Sequence, residues 1–518
     1  MLLAILGLAL AVLVGQFQRF PGYLDSDYYF GGGVELALGN GFTQPYLWNY
    51  LDDPQGLPHP SHSYWMPLAS ILTASGMLVT GRFDFASGRL AFLVLAAAAP
   101  VLTGRLAYAF SKNGALALVS GLLGVFSIYY VPFMPVPDNY GLYIVLGSLF
   151  FLGIGRGTKP AFFALGIIGG LMTLARSDGL LWLLMAAAAA VLSAKVASPL
   201  GELPVGKSES RRRAGRALLL IGLATIGFLL IMAPWFMRNL GLYGTPLAPG
   251  GARLLWLTTY DETFAYPASQ LTFDRWLDQG WAAILGARLA ALKWNLLNAF
   301  AAQGGVFLFP FILLGAWLHR RDKRVQIAVA AWALLLLVMS LVFPFAGARG
   351  GFFHAGAAIQ PMWWILAPLG LDGAVAAARR RGMFTPAAFT VFRAAFVGIA
   401  VVMTAVIFAL RILPGWGEGE HTYPEIESFL RDNGADAGEI VMTRNPPGYY
   451  MMTGRPAIAV PYSEPADLLA AARRYDARYL VIENAGAAGP IRTVYEDLTS
   501  TTFEFLGELD GTRIFRIR

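Results

Sequence analysis

The sequence contains no cysteine in 518 residues. That absence removes disulfides, thiolate metal sites and cysteine nucleophiles. Charge is also scarce. Asp, Glu, Lys and Arg make up 14% of the chain, against about 25% in soluble domains. The usual nucleotide and hydrolase motifs are missing: no P-loop, no G-x-G-x-x-G after a strand, no G-x-S-x-G and no H-E-x-x-H. The run Gly31, Gly32, Gly33 follows no strand and is not a dinucleotide fingerprint. Chemistry that uses ATP or NAD is therefore not expected. What is abundant is apolar: 56% hydrophobic residues and a mean hydropathy of +0.55. No soluble core can hide that much apolar surface, so the expected class is a polytopic α-helical membrane protein. The net charge of +7 does not point to nucleic acid. The basic residues cluster in short loops between apolar runs, which is a topology signal.

A span needs about 20 apolar residues. Candidates lie at roughly 1–18, 86–110, 114–131, 140–155, 160–175, 178–194, 217–237, 303–319, 326–345, 357–377 and 387–411, about eleven in all. Residues 1–15 lack a basic start and a small-residue cleavage site, so they read as a retained first helix. A twelfth candidate, 65–82, is short and carries Pro67. If it does not cross, the basic loops around Lys112, 156–159, 195–216, 319–324 and 379–381 all fall on one side, the cytoplasmic one by the positive-inside rule. The stretch 65–82 is therefore expected to lie along the outer interface. The N-terminus is then cytoplasmic, and the loops 19–85, 132–139, 238–302 and 344–356 face outward, as does everything after about residue 412. The site is expected in an integral plasma or inner membrane protein, with a transmembrane part over 1–411.

Beyond residue 412 the pattern changes. EIVMTR (439–444) and RYLVIE (478–483) read as strands. PEIESFLRDN (424–433) and PADLLAAARRYD (465–476) read as helices. TFEFLGELDGTRIFRIR ends the chain with Asp-Gly between alternating apolar residues, a hairpin signal. The expectation is a soluble extracytoplasmic α/β domain over 412–518, with 413–424 as its linker.

Unusual ionisable residues collect in the outward loops. Asp25 and Asp27 follow the first span, and Asp52, Asp53, His59 and His62 come before the next long one. A carboxylate at an apolar boundary can serve as a general base or hold a divalent cation; it can also merely cap a helix. His59 and His62 could bind a metal or a phosphate, or be structural. Asp138 is either an N-cap or a second active-site carboxylate. Arg176 and Asp178 read as a mutual ion pair. Arg238, Arg349 and His354 suit a phosphate, with interfacial anchoring as the plain alternative.

Together these segments resemble the GT-C superfamily of polytopic glycosyltransferases, including the protein O-mannosyltransferase and lipid A aminoarabinose transferase branches. The resemblance rests on DSDYYF (25–30), ELALGNGF (35–42), HPSHSYWMPL (59–68), Asp138 beside Asn139, the PWxxRN element at 234–239, and Arg349. It covers roughly 1–410. It implies an inverting transferase that moves a sugar from a polyprenyl-phosphate-linked donor to a protein, lipid or glycan acceptor on the outer face. An external Asp, either Asp25 or Asp27, would be the base, with Asp138 as a further acid. Arg side chains, and perhaps a divalent metal ion, would hold the lipid phosphate. Where the mannosyltransferase branch has Asp-Glu, this sequence has Asp25 and Ser26. A transporter or glycan flippase is the rival class, and a catalytically inert membrane subunit a third. Transporters usually carry charges or broken helices at mid-span, whereas these spans are clean.

Overall fold

A computed structural model describes residues 1–196 and 207–518. The middle of the expected basic loop 195–216 lies outside the described residues. Among these, six helices are long and apolar enough to cross a membrane: Phe85–Ser111, Ser177–Ala194, Ser210–Tyr243, Lys323–Val342, Gln360–Arg380 and Ala388–Arg411. Asn139–Arg156 has 18 residues. The runs expected at 1–18, 114–131, 160–175 and 303–319 form helices of 14, 12, 17 and 10 residues. The expected run 114–131 breaks at Phe126, and a 3-10 turn, Ile128–Phe133, follows. Leu68–Thr80 has 13 residues, about 20 Å of helix, short of the ~30 Å hydrocarbon layer.

The chain divides into two compact units. A membrane unit takes Met1–Phe17, Leu90–Gly241 and Arg288–Pro414; a sheet unit takes Gln18–Arg89, Leu242–Ala287 and Gly415–Arg518.

Small residues set the packing of the membrane unit. A Cβ on Gly166 would lie 1.9 Å from the Ala224 carbonyl oxygen, and one on Gly227 would lie 2.2 Å from that of Phe163. Gly315 and Gly370 meet the Leu366 and Phe311 carbonyls in the same reciprocal way, at 2.1 and 2.0 Å. Such close backbone approach replaces the hydrophobic drive that lipid removes. Basic residues gather at one end of this unit. Lys323 Nζ donates to Ser193 Oγ at 3.2 Å, and Arg324 lies 4.2 Å over the Phe110 ring. Gly157, which ends helix Asn139–Arg156, adjoins Lys323 Nζ. The other end of that helix, about 27 Å away, starts at Asp138.

The sheet unit holds a six-stranded mixed sheet. Its strands are β1 (Tyr46–Leu47), β2 (Ile440–Thr443), β3 (Ala457–Ala459), β4 (Ala477–Glu483), β5 (Phe503–Leu509) and β6 (Thr512–Ile517). The order is β1-β3-β2-β4-β6-β5. The first four are parallel, and the β5–β6 hairpin adds antiparallel to β4. The turn is Asp510-Gly511, both at positive φ, as a two-residue hairpin loop requires. Strand β4 is apolar on both faces, as a central strand must be. Leu480 and Ile482 join a core covered by helix Pro465–Tyr475, whereas Tyr479 and Val481 join one covered by Tyr423–Asp432. The sheet is not built from 412–518 alone, because β1 comes from the first loop.

Candidate active site

Within the sheet unit the site is built on helix Leu24–Ala37, whose first turn carries Asp25 and Asp27. Two residues apart on a helix, their side chains diverge by about 200°. Asp25 is half-buried, while Asp27 is fully buried. The triple glycine lets neighbours close on this helix. A Cβ on Gly31, Gly32 or Gly33 would lie 2.6 Å from Tyr46 Oη, 2.8 Å from His62 Cε1 and 2.5 Å from Thr73 Cγ2 respectively.

Asp27 Oδ2 accepts a hydrogen bond from Asn445 Nδ2 at 2.8 Å, and Asn445 Oδ1 caps helix Pro446–Thr453 through the Gly448 N–H. Glu420, also buried, faces Asp27. Burial raises the Asp27 carboxyl to about 7, against the pull of the Asn445 and Glu420 hydrogen bonds. Burial, and then the Asp27 charge, raises Glu420 to about 10. Two carboxyl groups in one dry site cannot both ionise, so this pair retains a proton at neutral pH. Glu420 lies in the segment expected to be a linker. That segment instead closes on the chain before the helix: Trp416 Nε1 donates to the Pro21 carbonyl at 3.0 Å, and its ring meets Tyr23 edge-on at 5.7 Å. Sequence reading missed Glu420, Asn445 and the buried pair Glu427–Arg455. In that pair Arg455 Nε and Nη2 donate to Glu427 at 2.7 and 3.0 Å, which ties helix Tyr423–Asp432 down.

His62 is locked in place. Ser70 Oγ donates to the Tyr29 carbonyl at 2.9 Å. Ser70 therefore accepts from His62 Nε2 at 2.9 Å, and His62 Nδ1 accepts from Ser61 Oγ at 2.6 Å. The Tyr28 ring packs edge-on against both His62 and Trp65. His59 sits in a two-residue ladder, extended as Pro60 implies, where His59 pairs with Gln44. Burial lowers its pKa to about 4, so its ring is neutral at pH 7. Asp52 accepts the Gly250 N–H at 2.7 Å, and Asp53 pairs with Arg474 at 2.8 Å.

The membrane unit brings Asp138, His354, Arg176 and Asp178 together at one end. Asp138 is fully buried and caps Asn139–Arg156 through the Asn139 N–H at 2.5 Å. His354 Nδ1 lies 3.6 Å from Asp138 Oδ1, and its ring stacks on Tyr140 at 4.0 Å. Burial, with the nearby Arg176 charge, holds His354 well below its ordinary pKa. Arg176 grips Asp178 at 2.7 and 3.1 Å, the ion pair expected from sequence. Arg238 lies 4.4 Å over the Trp235 ring and donates to Asn239 at 3.1 Å. Arg349 is exposed, on the irregular turn Gly347–Gly351, where Gly350 has φ +126°. Asp25, Asp27, His59 and His62 thus belong to the sheet unit, and Asp138, Arg238, Arg349 and His354 to the membrane unit. Among the described residues no three His, Asp or Glu side chains converge as a metal site needs.

No protein-family model matches the sequence, and no curated protein matches it. Solved structures do. ArnT from Cupriavidus metallidurans, bound to undecaprenyl phosphate, is similar at 12% identity over 99% of this chain and 97% of that one, with a TM-score of 0.58. The Archaeoglobus fulgidus oligosaccharyltransferase in complex with Zn and sulfate is similar at 13% identity over 99% of this chain and 72% of that one, with a TM-score of 0.53. The archaeal oligosaccharyltransferase AglB from Archaeoglobus fulgidus, with an inhibitory peptide and a dolichol-phosphate, gives 12% identity over 92% of this chain and 68% of that one, with a TM-score of 0.51. Both neighbours are GT-C superfamily members. With its apolar helices, the chain is an integral membrane protein with the fold of the GT-C glycosyltransferases.

Proposed function

We propose that this protein is a membrane glycosyltransferase that moves a sugar from a polyprenyl-phosphate-linked donor to an acceptor at the outer face, with inversion at the anomeric carbon. The observation that carries this reading is a helix with two carboxylates in its first turn, opening the first loop of a GT-C fold. The neighbours' undecaprenyl phosphate, dolichol-phosphate and peptide extend the reading to a lipid-linked donor and a peptide, lipid or glycan acceptor. Clustering of basic residues at one end of the membrane unit supports a cytoplasmic N-terminus and an outward-facing 412–518.

Asp25 is the assigned base. A base must come within about 3 Å of the proton it takes, and Asp27 is sealed in with Glu420 and Asn445. Asp25 takes the acceptor proton, the acceptor oxygen or nitrogen bonds to the anomeric carbon, and the bond to the phosphate oxygen breaks. The polyprenyl phosphate leaves with that electron pair. Growing charge on the phosphate needs cations, a role that falls to Arg349 and Arg238. His354 lies against Asp138, its Nδ1 3.6 Å from Oδ1, and Asp138 is assigned as a positioning residue. His59, neutral at pH 7, and His62 serve as hydrogen-bonding supports of the first loop. A zinc ion accompanies one neighbour; here every assigned step is carried by the chain's own residues.

Transfer from a radiolabelled polyprenyl-phosphate sugar in membranes tests the assignment. Asp25→Asn should lower the rate by about 10²–10⁴-fold, the usual worth of a general base. A full rate in that variant with loss in Asp27→Asn moves the base to Asp27. Full rates in both remove the assignment of either Asp as the base.

A further inference from the structure

The sheet unit contains a cavity of about 330 Å³ that the assignments above do not use. It lies within loop 19–85, with Leu242 and Tyr243 completing its wall. Small-molecule sites begin near this size, at about 300 Å³. Its lining is unusual in one respect: it contains two carboxylates, Asp52 and Asp53, several amides and an imidazole, but no Lys or Arg. Arg474 is turned to Asp53 and to the Pro54 carbonyl, and Arg253 to the Leu51 carbonyl. A phosphate would meet acid without a compensating cation.

What remains are groups that bind hydroxyls. Gln44 is 2% exposed. One end of its amide lies 3.1 Å from His59 Nε2, whose proton goes to the Tyr46 carbonyl at 3.0 Å, and the other, buried end has no hydrogen-bond partner. Such an orphaned buried polar group is unfavourable unless a ligand or water meets it. Asp52, Asn49 and Ser63 add acceptors and donors, and Trp48 and Tyr243 add ring surface. The Trp48 ring is fixed by stacking on Trp65 at 4.0 Å and 12°. Rigid aromatic surface beside planar amide and carboxylate groups suits the apolar face and the hydroxyl edge of one ring.

We propose that this cavity is a binding subsite for a neutral pyranose ring, with Gln44, Asp52 and His59 toward its hydroxyls and Trp48 and Tyr243 along its face. The sugar could be the acceptor's or the donor's, and that identification rests on the glycosyltransferase reading; the binding itself does not.

The test uses the full-length protein in an amine-oxide detergent, which has no sugar headgroup. Methyl α-D-mannopyranoside, methyl β-D-glucopyranoside and N-acetylglucosamine are titrated by saturation-transfer NMR, with glucose 6-phosphate and choline as comparators. At least one neutral sugar should saturate. Gln44→Ala should weaken it about tenfold, as loss of a good hydrogen bond does, and the rim variant Tyr243→Ala several-fold with the fold intact. Asp25→Asn should bind it unchanged. Tighter binding of glucose 6-phosphate or choline overturns the proposal, as does no saturation by any neutral sugar, or binding indifferent to both cavity variants. In the transfer assay, a raised KM for acceptor in Tyr243→Ala places the acceptor's sugar there, and a raised KM for donor places the donor's. Neutral-sugar binding without any transfer activity leaves the cavity assignment standing and removes the enzyme.

Discussion

Two buried clusters of ionisable groups, one from each unit, are built on opposite rules. In the membrane unit, Asp178 is neutralised by Arg176, and the pair is 9% and 14% exposed. In the sheet unit, Asp27 and Glu420 are both acids, with an amide rather than a cation beside them. The first cluster satisfies its charge internally, so it holds structure, and the phosphate-binding role is the one proposed for the exposed Arg349. The second cannot satisfy itself in ionised form and must carry a proton. One cluster should therefore fail when a partner is removed, and the other should improve.

The largest effect tests the paired cluster. Arg176→Leu leaves the Asp178 carboxylate buried without its cation, beside the Tyr143 hydroxyl at 3.1 Å. Breaking a buried pair from one side costs about 3–5 kcal/mol. Thermal unfolding in detergent should show the loss, and adding Asp178→Leu should recover most of it. A single variant as stable as the parent would mean that the pair is not a structural unit. Next in size is Arg349→Ala. It should lower kcat/KM for the lipid donor by about 10–100-fold, the worth of a charged hydrogen bond, with stability unchanged. An equal loss of stability would make Arg349 another structural partner and dissolve the contrast with Arg176.

Much of the architecture was legible in the sequence because its signals are local. Asp510-Gly511 between alternating apolar residues forms the hairpin, and the acidic start at 424–433 falls in helix Tyr423–Asp432. The ion pair at Arg176 and Asp178 followed from two opposite charges two residues apart beside apolar runs. What stayed hidden depends on distant partners. Strand Tyr46–Leu47 has two residues and Ala457–Ala459 three, too few to show a period, and each is defined by strands distant in sequence that lie beside it. Glu420 sits among Gly and Pro in a stretch that reads as linker, and its chemistry comes from burial and from Asp27 at the far end of the chain. The glycine run at 31–33 was visible but its use was not. Three neighbours, Tyr46, His62 and Thr73, need the room at once.

The smallest effect bears on the unpaired cluster, and its sign is the informative part. Asp27 and Glu420 have folded-state pKa values of about 7 and 10, both above ordinary carboxyl values. The folded chain thus holds more protons than the unfolded one above about pH 4, so stability is full below that pH and falls as pH rises toward 7 and beyond. Glu420→Gln removes one of the two acids and offers an amide to the other. At pH 5 the variant should match the parent within a degree or two. By pH 9 it should be the more stable by about 1–3 kcal/mol, one to two pKa units' worth, seen as a flatter curve of Tm against pH. Arg176→Leu should shift its own curve down over the same range, because it leaves the buried Asp178 without its cation. Parallel curves for parent and Glu420→Gln would mean that the two acids do not share a dry site. The sheet-unit cluster would then be ordinary surface, and Asp27 would become as eligible a base as Asp25.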